Sequence, residues 1–405
     1  MSISQLAREI AESPTLKLNE EAQDLRDRGE AVIHLGAGEP KTKIPFEAML
    51  STAAQLATAE VRYTPTEGIG SLRKAILRYM EENYNKVLGK DNVIVSNGAK
   101  QALSAVLTTI INPLDEVIIV APYWVSYPEM VKMVYAKPVI VTPGDGRFQP
   151  ELDDVTDMVS SYTKAIIINS PNNPSGAVYK ADFIGALVEY CEKKGIYLIM
   201  DDIYHKLVFP PAQWTPCYKY SQVDPNQSKL IVINGVSKLY AMTGYRIGWT
   251  IASKQIVDTM VNVQAQTTSC PPLLSQVAAV GALTGLQSGV ESLRLTLENN
   301  RKVMIQELNA FEGVRLIPPD GTFYSLPDFR AYSNDSVKLS RMLLEKVYVV
   351  AIPGKEFGME GHLRLSYCTS VKDIMEGVAR IKWALDPNSP NEIYIGDRKL
   401  VRDWK

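Results

Sequence analysis

The chain has 405 residues, 46% of them hydrophobic and 22% charged, with a formal net charge of −2. That length exceeds what one core usually serves, so two domains are expected; the near-neutral balance gives no electrostatic footprint for nucleic acid or an anionic membrane. Four scattered cysteines without a Cys-x-x-Cys pair, and histidines only at 34, 205 and 362, offer no zinc-type ligand set, so a cytoplasmic protein without a structural metal is expected.

Residues 1–12 lack the apolar core of a signal peptide. Residues 6–28 are helical in character but too short for a domain, so the first 45 residues are expected to pack on a smaller unit. From Ile44 to Pro272, short apolar runs at 93–95, 117–120, 139–141, 165–168, 197–200, 230–233 and 247–251 alternate with amphipathic stretches. These runs are too short to span a bilayer and suit buried parallel strands. The pattern predicts an α/β domain over 46–272 with a mainly parallel sheet flanked by helices. Residues 275–311 then read as a long helical stretch, and 321–326 and 362–367 as strands of a smaller α+β unit made of 1–45 and 273–386. The last stretch, 387–405, rich in Pro, Asn and charge, reads as an extension laid over the surface or disordered.

Chemistry-bearing residues sit at the ends of the predicted strands. Ser96-Asn97-Gly98-Ala99-Lys100-Gln101 joins a strand to a helix start, where backbone N–H groups can hold an anion. Taken alone it is also an ordinary βα turn. Asp201 directly follows the run 197–200, and Tyr204 lies three residues on; Asp202 competes for the same role, and either acid also suits a helix cap. The octet Asn169-Ser170-Pro171-Asn172-Asn173-Pro174-Ser175-Gly176 makes a rigid turn whose amides can donate to a ligand oxygen. Ser237-Lys238 supplies an amine and Arg246, eight residues after the lysine, a guanidinium. A lysine amine can condense with an aldehyde and an arginine can fork a phosphate, the two demands of pyridoxal 5'-phosphate.

With these motifs the chain resembles the fold-type I, pyridoxal phosphate-dependent class I aminotransferases, and especially the bacterial and archaeal aspartate aminotransferases. The resemblance runs from about Leu16 to Trp383. It includes Gly36-Ala37-Gly38-Glu39-Pro40, Tyr63-Thr64-Pro65, Asn97 to Leu103, Pro122-Tyr123-Trp124-Val125-Ser126-Tyr127-Pro128, the octet, Asp201-x-x-Tyr204, Ser237-Lys238 to Gly248, and Arg364-Leu365-Ser366-Tyr367. It implies that Lys238 holds the cofactor and moves the Cα proton, with its pKa lowered by positive neighbours and burial. Asp201 would keep the ring nitrogen protonated, Trp124 would stack on the ring, and Asn173 and Tyr204 would bond its phenolic oxygen. Arg246, Ser237 and the Gly98-Ala99-Lys100 backbone would hold the phosphate. Tyr63 would reach the phosphate of a neighbouring subunit, which implies a homodimer with shared sites. Arg364 and Asn173 would bind the substrate carboxylate, and Gly38 would close over it.

Amino acid and 2-oxo acid substrates follow from the resemblance, with aspartate and 2-oxoglutarate favoured. Lys100 matches a lysine that meets a distal carboxylate, and Thr15 a position near the substrate. Aromatic or neutral donors stay open, as does a lyase reaction on the same scaffold. A ligand-sensing regulator would need a DNA-binding module, and no basic helix-turn-helix segment precedes residue 45. One departure is Gly235, where many members carry a phosphate-binding serine three residues before the lysine.

Overall fold

The computed structural model describes residues 3–10, 14–396 and 398–404. Its central sheet has seven strands, in spatial order Val93–Ser96, Gly248–Ile251, Leu230–Gly235, Tyr197–Asp201, Thr163–Asn169, Glu116–Val120 and Lys137–Val141. Gly248–Ile251 runs antiparallel to both of its neighbours, and the other pairings are parallel. The continuous Val/Ile runs are explained by burial on both faces. Ile118, Ile166, Leu198 and Val232 enter one core cluster. Their chain neighbours Ile119, Ile167, Ile199 and Ile231 enter the opposite one, beneath the helices Ala99–Ile110 and Lys254–Thr267.

Register decides what meets at the carboxyl edge. Asn169 pairs with Asp201, and Asp201 with Ile233, so the octet, the acid and the turn leading to Lys238 emerge side by side. Open α/β sheets bind their ligands at such an edge. The antiparallel strand completes it. Because Gly248–Ile251 runs the other way, its first residue pairs with both Ser96 and Gly235, and Arg246 just before it arrives at the same edge.

The second unit is built on Tyr324–Ser325, Leu363–Ser366 and Ile352–Pro353, with Ile33–His34 beside Val349–Val350. The strand expected over 321–326 contracts to Tyr324–Ser325, while the one expected over 362–367 is Leu363–Ser366. The helical stretch expected over 275–311 is two helices, Leu273–Thr284 and Ser288–Asn309, bent by 80° at their break. The first packs against the helices Phe46–Ala57 and Gly70–Tyr84 of the large unit, and the second against Val371–Leu385 of the small one. By packing, residues 273–284 therefore go with the large unit, although the sequence reading grouped them with the small one. The period of apolar residues identified the helices but not which neighbour they would choose.

The C-terminal stretch lies on the surface as an antiparallel hairpin, Glu392–Ile395 with Arg398–Val401. Trp404 meets Trp383 edge to face at 5.6 Å, Arg398 reaches Glu30 and Tyr348, and Arg402 donates to the carbonyls of Trp383, Asp386, Pro387 and Ser389. Polarity in this stretch signals a hydrogen-bonded cover.

The seat of helix Leu273–Thr284 depends on Gly281, whose added Cβ would meet the Glu47 backbone carbonyl directly. Gly281→Ala should cost about 1–3 kcal/mol by overpacking, read as a lower denaturant midpoint in equilibrium unfolding.

Candidate active site

A cleft of about 690 Å³ runs along the carboxyl edge and is walled by both units. Lys238 reaches it from the turn after Leu230–Gly235. Its amine donates to the Gly38 carbonyl at 2.7 Å, a bond from the large unit to the N-terminal segment. Burial is the main cause that draws this lysine down to about 8; Arg364 and Arg246 add to it, and Glu39 opposes.

Asp201 and Asp202 face opposite ways, as successive residues leaving a strand do. Asp201 lines the cleft, and its Oδ2 accepts from Tyr127 Oη at 2.6 Å. Burial raises its pKa to about 6, while the bonds from Tyr127 and the Ile203 N–H and the charge of Lys238 hold it down. Asp202 turns into the core, where Tyr84 Oη donates to it at 3.1 Å and burial pushes it up to about 8. The acid of the cleft is Asp201.

Asn173, fully buried, is fixed from behind: its N–H donates to Asn169 Oδ1 at 2.7 Å, and Asn169 Nδ2 donates to the Asp201 carbonyl at 2.8 Å. Its own Oδ1 accepts from Arg364 Nη1 at 3.0 Å. Arg364 also donates through Nη2 to the Gly36 carbonyl at 3.0 Å and lies 4.4 Å from the Tyr324 ring centre. Its Nε is buried without a partner, and among the described residues no carboxylate pairs with it. A buried guanidinium held only by neutral groups is costly, and a bound carboxylate would offset that cost. Tyr204 Oη lies 3.3 Å from Tyr324 Oη, a short step from the same group.

The other end of the cleft is built for a second anion. Gly98 caps the helix Ala99–Ile110 with φ +86°, and a Cβ there would strike the Arg246 guanidinium at 2.6 Å. Glycine thus lets Arg246 lie against a helix N-terminus that offers free N–H groups. Arg246 Nη1 donates to the Thr243 carbonyl at 3.0 Å, and Ser237 lines the wall nearby. Lys100 Nζ stands 4.9 Å over the Trp124 ring, and burial followed by the charge of Arg246 lowers its pKa. A guanidinium against a helix terminus, with no described carboxylate paired to it, suits a phosphate dianion, and Lys100 beside it adds a second cation to the same wall.

Against this geometry, the family model described as aminotransferase class I and II matches residues 30–381. The chain is 37% identical to a probable aspartate/prephenate aminotransferase of Aquifex aeolicus, over 92% of this chain and 96% of that protein. It is 35% identical to an aspartate aminotransferase of Thermotoga maritima, over 94% and 98% of the two. Among solved structures, the Thermus thermophilus aspartate aminotransferase with maleate superposes with a TM-score of 0.89 at 33% identity, covering 94% of this chain and 99% of that one. The chain belongs to the class I and II aminotransferases.

Of the residues expected to serve this aminotransferase, Gly38, Ala99, Lys100, Trp124, Asn173, Asp201, Tyr204, Ser237, Lys238, Arg246 and Arg364 line the one cleft, with Gly98 directly behind Arg246. Tyr63 does not: within a single chain it is 92% exposed and outside the lining. Thr15 belongs to the helix Pro14–Asp27, but its side chain lies outside the described residues. Gly235 has a steric reason. An added Cβ would meet the Ile247 carbonyl at 2.8 Å and Gly248 Cα at 3.1 Å, so this backbone leaves no room for a serine.

Two further residues, Tyr127 and Tyr324, join the site through long-range hydrogen bonds. Tyr127 lay inside the quoted Pro122–Pro128 motif without a role, and Tyr324 inside a stretch read only as a strand. Neither had a local signal for its partner, because Asp201 is 74 residues from Tyr127 and Tyr204 is 120 from Tyr324.

The bond from Tyr127 favours ionised Asp201. Tyr127→Phe should therefore raise the Asp201 pKa from about 6 by about one pH unit, measured by infrared titration of its carboxylate band. An unmoved band would show that the bond does not hold the charge.

Proposed function

We propose that this aminotransferase uses pyridoxal phosphate to transfer the amino group of aspartate to 2-oxoglutarate. The observation that carries the reading is a single cleft holding both a part-buried lysine amine and a buried guanidinium, neither paired with a carboxylate among the described residues. When bound, the cofactor would supply an aldehyde for amino groups and a ring that accepts the electron pair left by a broken Cα–H bond.

The chain's own residues divide the remaining work. Lys238 would hold the cofactor and carry the proton, and a pKa near 8 leaves part of it as free base near neutral pH. Asp201, steadied by Tyr127, would face the ring nitrogen as an anion. Tyr204 and Asn173 would donate to the ring's phenolic oxygen, and Trp124 would cover a ring face. Arg246, Ser237 and the backbone N–H groups of Gly98, Ala99 and Lys100 would bind the phosphate, leaving the Lys100 side chain for the substrate. Arg364 would fork the substrate α-carboxylate beside Asn173, with Gly38 at the closing edge.

Aspartate is favoured because Lys100 offers a cation for a distal carboxylate and because similar proteins are named aspartate aminotransferases. The Thermus thermophilus structure is described with maleate, a four-carbon dicarboxylate. A homodimer is part of the proposal. The helix Phe46–Ala57 leaves Phe46, Met49 and Leu50 exposed at spacings of three and four, the stripe of an unpartnered helix face, and Tyr63 is exposed as well. A second copy would cover that stripe and lend Tyr63 to the cleft. A cytoplasmic setting fits the four free cysteines.

A panel of amino donors with 2-oxoglutarate tests the function. Aspartate should give glutamate and an oxo acid in equal amounts, whereas release of ammonia or a cyclic product would assign a lyase. Treated with pyridoxal phosphate and then borohydride, Lys238→Ala should carry no fixed label by mass spectrometry. In the wild type the labelling rate should rise as pH passes about 8; a label retained in the variant would refute the assignment. Lys100→Ala should lower kcat/KM for aspartate by about 1.5–3 kcal/mol, the worth of a charged hydrogen bond, and no change would remove the distal clamp.

A further inference from the structure

The cleft is rich in cations and poor in acids. Arg26, Lys41, Lys100, Lys238, Arg246 and Arg364 line it, against only two carboxylates among the described residues, Asp201 and Glu39. The helix Pro14–Asp27 adds a polar stripe, Asn19, Gln23 and Arg26, and no acid to this lining. Asp201 is engaged by Tyr127 and the Ile203 N–H. Glu39 comes from the N-terminal segment, and its Oε2 accepts from Thr243 Oγ1 at 2.6 Å. Among the described residues Glu39 makes no ion pair.

Two hydrogen bonds on consecutive residues thus join this segment to the loop between Lys238 and Arg246. Lys238 Nζ donates to the Gly38 carbonyl at 2.7 Å, and Thr243 donates to Glu39. Buried Pro40 follows Glu39 and restricts its backbone to extended conformations. Thr243 is fixed in turn, because its carbonyl accepts from Arg246 Nη1 at 3.0 Å. The two bonds differ in permanence. Condensation of the Lys238 amine with an aldehyde consumes the hydrogens it donates, whereas the bond from Thr243 to Glu39 is untouched by that step. Glu39 also acts on Lys238 through space. After burial, Arg364 and Arg246 draw the lysine down, and Glu39 is the acid that opposes them. Asp201, at the neighbouring strand end, feels Lys238 in return. Cys368 and Tyr324 face Glu39 as well, but burial pushes both upward, the thiol to about 12, so neither carries charge near neutral pH. Lys41, two residues beyond Glu39, acts on Cys368.

We propose that Glu39, anchored by Thr243, is a positioning residue for Lys238. It keeps the Gly38 carbonyl within reach of the amine whenever the amine is free, and it sets one negative charge beside Lys238, Arg246 and Arg364. This role rests on the aminotransferase reading, in which Lys238 alternates between holding the cofactor and carrying the proton. Glu39 limits how far the two arginines drain the lysine's basicity, and a proton carrier that is too weak a base transfers protons poorly.

The test compares Glu39→Gln, Thr243→Val and Thr243→Ser in the full chain, loaded with pyridoxal phosphate at each pH and trapped on Lys238 with borohydride. Glu39 is exposed and Thr243 half-buried, so both sites accept near-isosteric replacement. In the wild type the labelling rate rises as pH passes about 8. Glu39→Gln removes a charge that favours the protonated amine. Its midpoint should fall by about half a pH unit at low salt, and by less at about 1 M salt. Thr243→Val should move the midpoint the same way, and Thr243→Ser should restore it. The double variant Glu39→Gln/Thr243→Val should move no further than Glu39→Gln alone, because Thr243 acts through Glu39. An unmoved midpoint in Glu39→Gln or in Thr243→Val would overturn the role, as would additive shifts in the double variant. So would an upward shift, the sign expected if the replacement merely loosens the site and exposes the amine to water. Failure of the aminotransferase reading is distinguishable, because it appears as a wild type that forms no oxo acid from any donor in the panel.

Discussion

Arg364 carries a positive charge into the interior and, among the described residues, meets neutral groups there: the Asn173 amide oxygen, the Gly36 carbonyl and the faces of Tyr324 and Phe357. That arrangement costs stability and has consequences across the site. It leaves in the cleft a buried cation whose charge a carboxylate would neutralise. It also helps to lower the Lys238 pKa, because two cations share a poorly solvated space. The octet with its buried Asn173 and the short strand that presents Arg364 both serve to hold this charge in place. Arg364 and Lys238 are thus coupled electrostatically without touching.

The anion corner at the opposite end is shaped by the absence of side chains. Gly98, Gly235 and Gly248 come from three different elements, and a Cβ on any of them would strike backbone or the Arg246 guanidinium. Removing those atoms lets an antiparallel strand end, a parallel strand end and a helix N-terminus converge. Peptide N–H groups and the guanidinium can then share one anion. Gly235, where a serine was expected, is part of this packing. Here a close approach of backbone to backbone occupies the room that a side chain would need.

Adjacent carboxylates in contrasting settings show how local chemistry is assigned. Asp201 has a tyrosine hydroxyl at 2.6 Å and a lysine across the cleft; Asp202 has a tyrosine in a sealed core that also contains His205 and Asn234. Burial raises both pKa values, but Asp202 rises further and also feels Asp201 as a like charge. The acid left nearer its ionised form is the one that faces the cleft.

The order of elements and most of the residues that line the cleft were legible in the amino-acid sequence, because strand runs and strand-end motifs are local. Lys238, Asp201 and Arg246 each sit at the end of a strand run or in a short pattern of their own, whereas Arg364 was picked out only by the family resemblance. What the sequence left open was long-range. The bond of Tyr127 to Asp201, the contact of Tyr324 with Tyr204, the packing of helix Leu273–Thr284 on the large unit and the polar stripe of Asn19, Gln23 and Arg26 facing the cleft all depend on elements far apart in the chain. Apolar periodicity states which face of an element is buried, but it does not name the partner that buries it. Only the tertiary structure decided those pairings, because strand register and the closeness allowed at Gly98, Gly248 and Gly281 are properties of two surfaces at once.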